Sequence, residues 1–151
     1  MKLFIGVLMM VSTVVAAQWQ HDVQTDLMTN IEQRVMALEA GQMQGTLNHP
    51  VIVFRYTVIT QEVHGFVYWG GYSISRDERA MLVRFDDEFE IVQVRPSTDR
   101  RAVFIVDIDD FVNRLMRVDT VVARIDSNTG RTMVAMWDVS RFKEAYDTMT
   151  R

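Results

Sequence analysis

Apolar residues recur at a helical spacing between residues 18 and 40. Every fourth position on one face is apolar: Val23, Leu27, Ile31 and Val35. This spacing is typical of an amphipathic helix, and either Asp22 or Thr25 could cap its first turn. We therefore expect an N-terminal helix followed by a loop at residues 41–45, so that residues 18–45 form one segment.

From residue 46 onward the pattern changes to short strands. Runs rich in β-branched and aromatic residues alternate with turn-forming residues, which is typical of hairpins. The predicted strands are 51–59, 63–69, 80–85, 90–94, 102–106, 120–125 and 131–139. Helical spacing returns twice, after Asp107 and after Ser140, and each of these two residues is a suitable cap.

Sequential strands joined by tight turns favour antiparallel pairing. We therefore expect an α+β fold: an antiparallel sheet or small β-sandwich with an N-terminal helix, one inserted helix and a C-terminal helix. The length of the chain suits one such domain, covering residues 46–151.

Residues 1–17 have the pattern of a cleavable secretory signal peptide. Lys2 supplies a positive start, Leu3 to Val15 is mostly apolar, and Val15-Ala16-Ala17 provides small residues before Gln18. The alternative is a membrane anchor, but the apolar run is shorter than the roughly 20 residues that a spanning helix needs. We expect cleavage before Gln18, a periplasmic or secreted protein, and no stable membrane insertion afterwards.

Composition narrows the possible chemistry. The chain has no cysteine, which excludes thiol catalysis and cysteine-ligated metals. A net charge of −4 argues against nucleic acid as a partner. His21, His49 and His64 show no metal-binding spacing, and no serine lies in a GxSxG motif. We predict no catalytic, metal or cofactor site.

Two acidic clusters allow more than one interpretation. Residues 86–90 and 107–110 hold several carboxylates, which could serve glycoside hydrolysis or weak calcium binding. A hairpin turn for the first cluster and a helix N-terminus for the second are the simpler interpretations.

Ser97-Thr98-Asp99 is predicted to be a structural turn leading into the strand 102–106. Serine, threonine and aspartate side chains readily bond neighbouring backbone groups. The alternative, Ser97 as a nucleophile, lacks a base nearby in the sequence.

The segment 66–72 concentrates aromatic residues beside Gly70 and Gly71. Strand alternation places Phe66 and Tyr68 on one face and Trp69 on the other. We expect Phe66 and Tyr68 to be in the core. Trp69 and Tyr72 are candidate partner-binding residues; core packing, which is the simpler interpretation, and ordinary surface exposure are the alternatives for both.

An ordered series of motifs resembles the VasI/TagO family of exported proteins associated with type VI secretion. The matching pieces, in order, are Val51–Tyr56, Val67–Tyr72, Leu82–Asp86, Ser97–Phe104, Val122–Arg124 and Trp137–Phe142. The resemblance implies a non-enzymatic accessory role in the cell envelope, with a protein partner. A small secreted inhibitor or a phage-encoded envelope modifier is the alternative, and an envelope hydrolase is a third, weaker hypothesis.

Overall fold

The computed structural model describes residues 18–151; the predicted signal peptide lies outside the described residues. The strands are β1 (Gln20–Thr25), β2 (Glu32–Glu39), β3 (Gln42–Gln44), β4 (Val51–Thr57), β5 (Glu62–Tyr68), β6 (Ala80–Phe85), β7 (Glu88–Pro96), β8 (Ala102–Ile105), β9 (Thr120–Asp126) and β10 (Thr132–Asp138). The helices are α1 (Ile108–Leu115) and α2 (Phe142–Thr150).

All ten strands belong to one curled antiparallel sheet in the order β1-β2-β4-β5-β8-β7-β6-β9-β10-β3. β7 bridges two parts of the sheet, because its first residues pair with β6 and its last residues pair with β8. β2 leads through Ala40 and Gly41 directly into β3, which pairs with β10 at the far end of the strand order. The sheet therefore curls into a half-barrel.

The core fills the inner face of this half-barrel. In the longer central strands, such as β4, β6, β9 and β10, alternate residues point inward, and both helices cover the same side. Phe54 lies among aromatic neighbours from the two helices, with ring centroids 5.3 Å from Phe142 and 6.4 Å from Phe111. Trp69 and Trp137, both fully buried, meet edge to face at 6.2 Å.

The expected α+β class is wrong. Strands make up 49 % of residues 18–151 and two short helices only 13 %, so the fold of this part of the chain is mostly antiparallel β. Asp107 caps α1, its carboxylate accepting the Asp110 N–H at 3.1 Å. Ser140 is not the cap of α2; that position is Arg141, and the Ser140 hydroxyl donates to Asp138 instead.

The predicted N-terminal helix is also wrong, because its residues form the β1–β2 hairpin, and the loop predicted at residues 41–45 contains β3. Pairing β2 with β4 buries Met36 and Leu38 in the core, whereas a helix with its stripe at Val23 and Leu27 would leave Met36 off the buried face. The hairpin turns at Asp26, whose carboxylate accepts the N–H groups of Met28 and Thr29 at 2.7 and 3.0 Å. Tertiary pairing thus outweighed the local helical spacing.

Candidate functional site

Two neighbouring rows of side chains cross the outer face of the sheet, opposite the core. The pairing registers align one row as Gln44, Val134, Arg124, Leu82 and Ile91. The other row contains Gln42, Met136, Val122, Arg84 and Phe89. We call the following part of these rows the arginine face: Leu82, Arg84, Phe89, Ile91, Val122, Arg124, Val134 and Met136.

Strand alternation explains why these residues face outward. In β6, Met81 and Val83 are buried in the core, so Leu82 and Arg84 must point the other way. Ala123 and Ala135 are buried in β9 and β10 in the same manner. The residues on either side of each buried alanine therefore lie on the outer face.

The β6–β7 turn positions the most exposed members of the arginine face. Asp86 adopts a left-handed backbone (φ 51°), and its carboxylate accepts the N–H groups of Asp119 and Thr120, both at 3.0 Å. This turn ties β7 to the start of β9. Beyond the turn, Phe89 and Ile91 are 66 % and 73 % exposed, far more than large apolar side chains usually are.

The two arginines are the only charged residues in these rows, in a chain of net charge −4. Within residues 18–151, neither Arg84 nor Arg124 forms an ion pair. The Arg84 Nε atom is buried and has no hydrogen-bond acceptor among the described residues. A buried donor without an acceptor carries a free-energy penalty.

A shallow groove lies on the arginine face. It has a volume of about 240 Å³ and runs between β3 and the side chains of Arg84, Val122, Val134 and Met136. Arginine, methionine and aromatic residues are enriched at protein interfaces, whereas acidic residues are depleted there. The arginine face therefore has the composition of a protein-binding surface.

The predicted partner-binding residues occupy two different environments. Trp69 has no exposed area, so it is a core residue in this fold. Gly70 and Gly71, with φ of 79° and 105°, turn the chain after β5 in a region of backbone space that favours glycine. Tyr72 is half-buried beyond this turn, with the Arg131 guanidinium 4.8 Å from its ring centroid.

The core face of β5 is the opposite of the expected one. Val67 and Trp69 are buried, whereas Phe66 and Tyr68 lie half-buried on the outer face. Phe66 meets Phe104 of β8 there, at 5.4 Å between ring centroids. Alternation alone could not decide which of the two faces would be covered.

Ser97, Thr98 and Asp99 lie in the turn between β7 and β8. The Ser97 hydroxyl donates to the Asp99 carboxylate at 2.6 Å and accepts the Ala102 N–H at 3.1 Å. The Asp99 carboxylate also accepts the Arg101 N–H at 3.1 Å. These bonds, above all the one from Ser97, hold the pKa of Asp99 below its usual value. Thr98 is exposed at the turn.

The titratable residues highlighted in the sequence are dispersed. His49 Nδ1 lies 2.8 Å from the Ala40 carbonyl oxygen, and His64 forms an exposed pair with Glu62 at 3.8 Å. His64 and Glu62 border a cleft of about 540 Å³ where β5 and β8 stop pairing. Within residues 18–151, no three potential ligands among the histidines and carboxylates come together as a metal site.

Comparison with known proteins returned no matching family model, curated protein or solved structure. In the part of the chain that the structure describes, no helix has the length and apolar character to cross a membrane. The arginine face was not found from the sequence. Its signal is a single arginine among apolar residues in each of β6 and β9, and the two arginines come together only when the strands are placed in register.

Proposed function

We propose that this chain is an exported accessory protein of the cell envelope that acts by binding another protein through the arginine face, and not by catalysing a reaction. The observation that carries the proposal is the arginine face itself: six apolar side chains around two arginines that form no ion pair with residues 18–151, on the outer side of the sheet. Binding energy at interfaces concentrates in residues of these types.

The sequence supports the envelope location. The pattern of residues 1–17 is that of a cleavable signal peptide. The resemblance of residues 50–149 to the VasI/TagO family suggests an accessory role, in its finer form one linked to type VI secretion. Purified protein from a periplasmic fraction should have the intact mass of a chain that starts at Gln18. Retention of Met1–Ala17 in a membrane pellet would refute the export proposal.

The chemistry of the arginine face indicates the character of the partner. Arg84 and Arg124 require carboxylates or carbonyl oxygens, and the apolar side chains around them require an apolar counterpart. The partner surface should therefore present apolar residues flanked by acidic ones. Complementary charge would orient the two proteins, and burial of Phe89 and Ile91 would supply much of the affinity.

Site-specific cross-linking in the producing cell tests this surface directly. A photoreactive amino acid at Ile91 should give a covalent adduct with one envelope protein. The same amino acid at Ile59, which is 74 % exposed on the β4–β5 loop, is the matched control. Equal adducts from both positions, or none from Ile91, would contradict the proposal.

Charge reversal then tests the two arginines with the purified pair. Arg84→Glu combined with Arg124→Glu should weaken binding by about tenfold or more, and an unchanged circular dichroism spectrum would show that the fold is retained. Vesicles containing phosphatidylglycerol separate a protein partner from a membrane surface. One result would show that the partner is an anionic lipid surface and not a protein: the wild-type protein binds these vesicles, the double variant does not, and no protein adduct forms in the cell.

A further inference from the structure

β1 leaves one edge of the sheet open. Its six residues, Gln20–Thr25, pair on one side with β2 and are all exposed. The opposite edge of the sheet is β3, which has only three residues. An open edge strand is a template for a further strand, and proteins often block such edges with lysine, proline or a bulge. Gln20–Thr25 contains neither lysine nor proline.

The hydrogen-bonding pattern shows which backbone groups of β1 face outward. The Asp26 N–H donates to the Ile31 carbonyl oxygen at 3.0 Å, which continues the β1–β2 register by one residue pair. Bonded and non-bonded pairs alternate in an antiparallel ladder. Gln24, Asp22 and Gln20 therefore direct their backbone groups at β2, whereas Thr25, Val23 and His21 direct theirs away from the sheet.

We propose that β1 pairs antiparallel with β1 of a second copy of this chain, about a two-fold axis at Val23. Several symmetric registers can join the outward-facing groups. The register centred on Val23 places Val23 opposite Val23 of the second copy, His21 opposite Thr25, and Asp22 opposite Gln24, so it pairs the outward groups of all three residues. The register centred on Asp22 pairs only His21 with Val23 and places Asp22 opposite Asp22 of the second copy, where like charges are destabilising. The register centred on Gln24 pairs only Val23 with Thr25. The number of paired backbone groups therefore selects the register centred on Val23.

The strand fits its own copy better than it fits an arbitrary partner. In the Val23 register, the acidic residue of each strand meets an amide, and every outward N–H and C=O of His21, Val23 and Thr25 is paired. The Val23 N–H, which donates to the Asp22 carboxylate at 2.9 Å in the single chain, exchanges that bond for one to the second copy. Val23, which is 60 % exposed, gains cover from its equivalent. No residue of the arginine face lies in β1, so the dimer contact uses none of its residues. Each dimer therefore carries two arginine faces.

Cysteine cross-linking tests the register in the full exported protein. The chain has no cysteine, so Val23→Cys introduces one thiol. Directly opposite residues in a bonded pair have Cα atoms about 5.5 Å apart, a separation that a disulfide spans. Mild oxidation should convert most of this variant to a covalent dimer. Asp22→Cys, the matched control, should give only traces, and the reverse result would overturn the Val23 register.

Sedimentation equilibrium tests the free energy of association. The wild-type protein should show a concentration-dependent dimer. Val23→Lys places two lysines opposite each other and should weaken the dimer by about fivefold or more. Gln24→Lys faces Asp22 of the second copy and should strengthen it, a gain that Asp22→Asn should abolish. A wild-type protein that stays monomeric, or equal weakening by both lysines, would overturn the proposal.

Discussion

Replacing Trp69 with alanine would remove one of two indoles that meet at the centre of the half-barrel. Trp69 has no exposed area and packs edge to face against Trp137 at 6.2 Å. The backbone N–H of Trp69 donates to the Arg101 carbonyl oxygen at 3.0 Å, and this bond joins the end of β5 to the turn before β8. The substitution therefore leaves a cavity between two parts of the sheet while keeping the backbone bond.

The expected loss is large relative to the stability of the domain. Tryptophan-to-alanine changes in cores cost about 3–5 kcal/mol, out of a typical free energy of unfolding of about 5–15 kcal/mol. For a domain of this size, about 2–4 °C of melting temperature corresponds to each kcal/mol. The melting temperature should therefore fall by about 6–20 °C.

Thermal and urea unfolding followed by far-ultraviolet circular dichroism would measure this loss without relying on tryptophan fluorescence. Phe89→Ala, which truncates a 66 % exposed aromatic side chain, is the matched control and should unfold within about 0.5 kcal/mol of wild type. If Trp69→Ala unfolded like wild type but lost its envelope partner, the core assignment would be refuted and the side chain would be a binding residue.

Two further predictions concern the turns and the helix packing. Asp99→Ala should lower the melting temperature at neutral pH, because the folded state holds the pKa of this carboxyl low through its bonds from Ser97 and Arg101. A carboxyl group whose pKa is lower in the folded than in the unfolded state stabilises the fold at any pH above its unfolded pKa, and this stabilisation is lost as the pH falls through the folded pKa. The melting temperatures of wild type and variant should therefore converge below about pH 4. A constant difference down to about pH 2 would contradict this cause. Gly65→Ala should lower the free energy of unfolding, because the added Cβ would lie 2.5 Å from Ile108 Cδ1. Ile108→Val removes that atom, so the double variant should regain part of the lost stability in urea titrations. A double variant no more stable than Gly65→Ala would show that the strain comes from Phe54 instead.

Much of the strand pattern could be predicted because it is local. The predicted strands 51–59, 63–69 and 80–85 overlap β4, β5 and β6 closely, since alternation and turn residues act over a few positions. Asp107 was recognisable as a cap because the requirement concerns one side chain and the next helical turn. Ser140 met the same requirement in sequence but bonded Asp138 instead.

The N-terminal segment shows where local patterns are insufficient. Val23, Leu27 and Val35 have helical spacing, yet the chain turns at Asp26 and leaves Leu27 99 % exposed. The signals for a hairpin were present in Asp26 and Asn30, which tolerate the conformations that a turn requires. The burial of Met36 and Leu38 against strands farther along the chain favours the hairpin over the helix. This contribution cannot be detected from the spacing of residues within a short segment.

The sequence by itself determined the strand and turn periodicity after residue 50, the lack of cysteine chemistry and the pattern of an exported chain, because each depends on composition or on neighbours within a few residues. Only the tertiary structure decided which face of each strand is covered. That choice buried Trp69, left Phe66 outside, and aligned Arg84 and Arg124 on one surface. The physical reason is that strand pairing joins residues distant in sequence, and a shift of one residue in register exchanges the two faces.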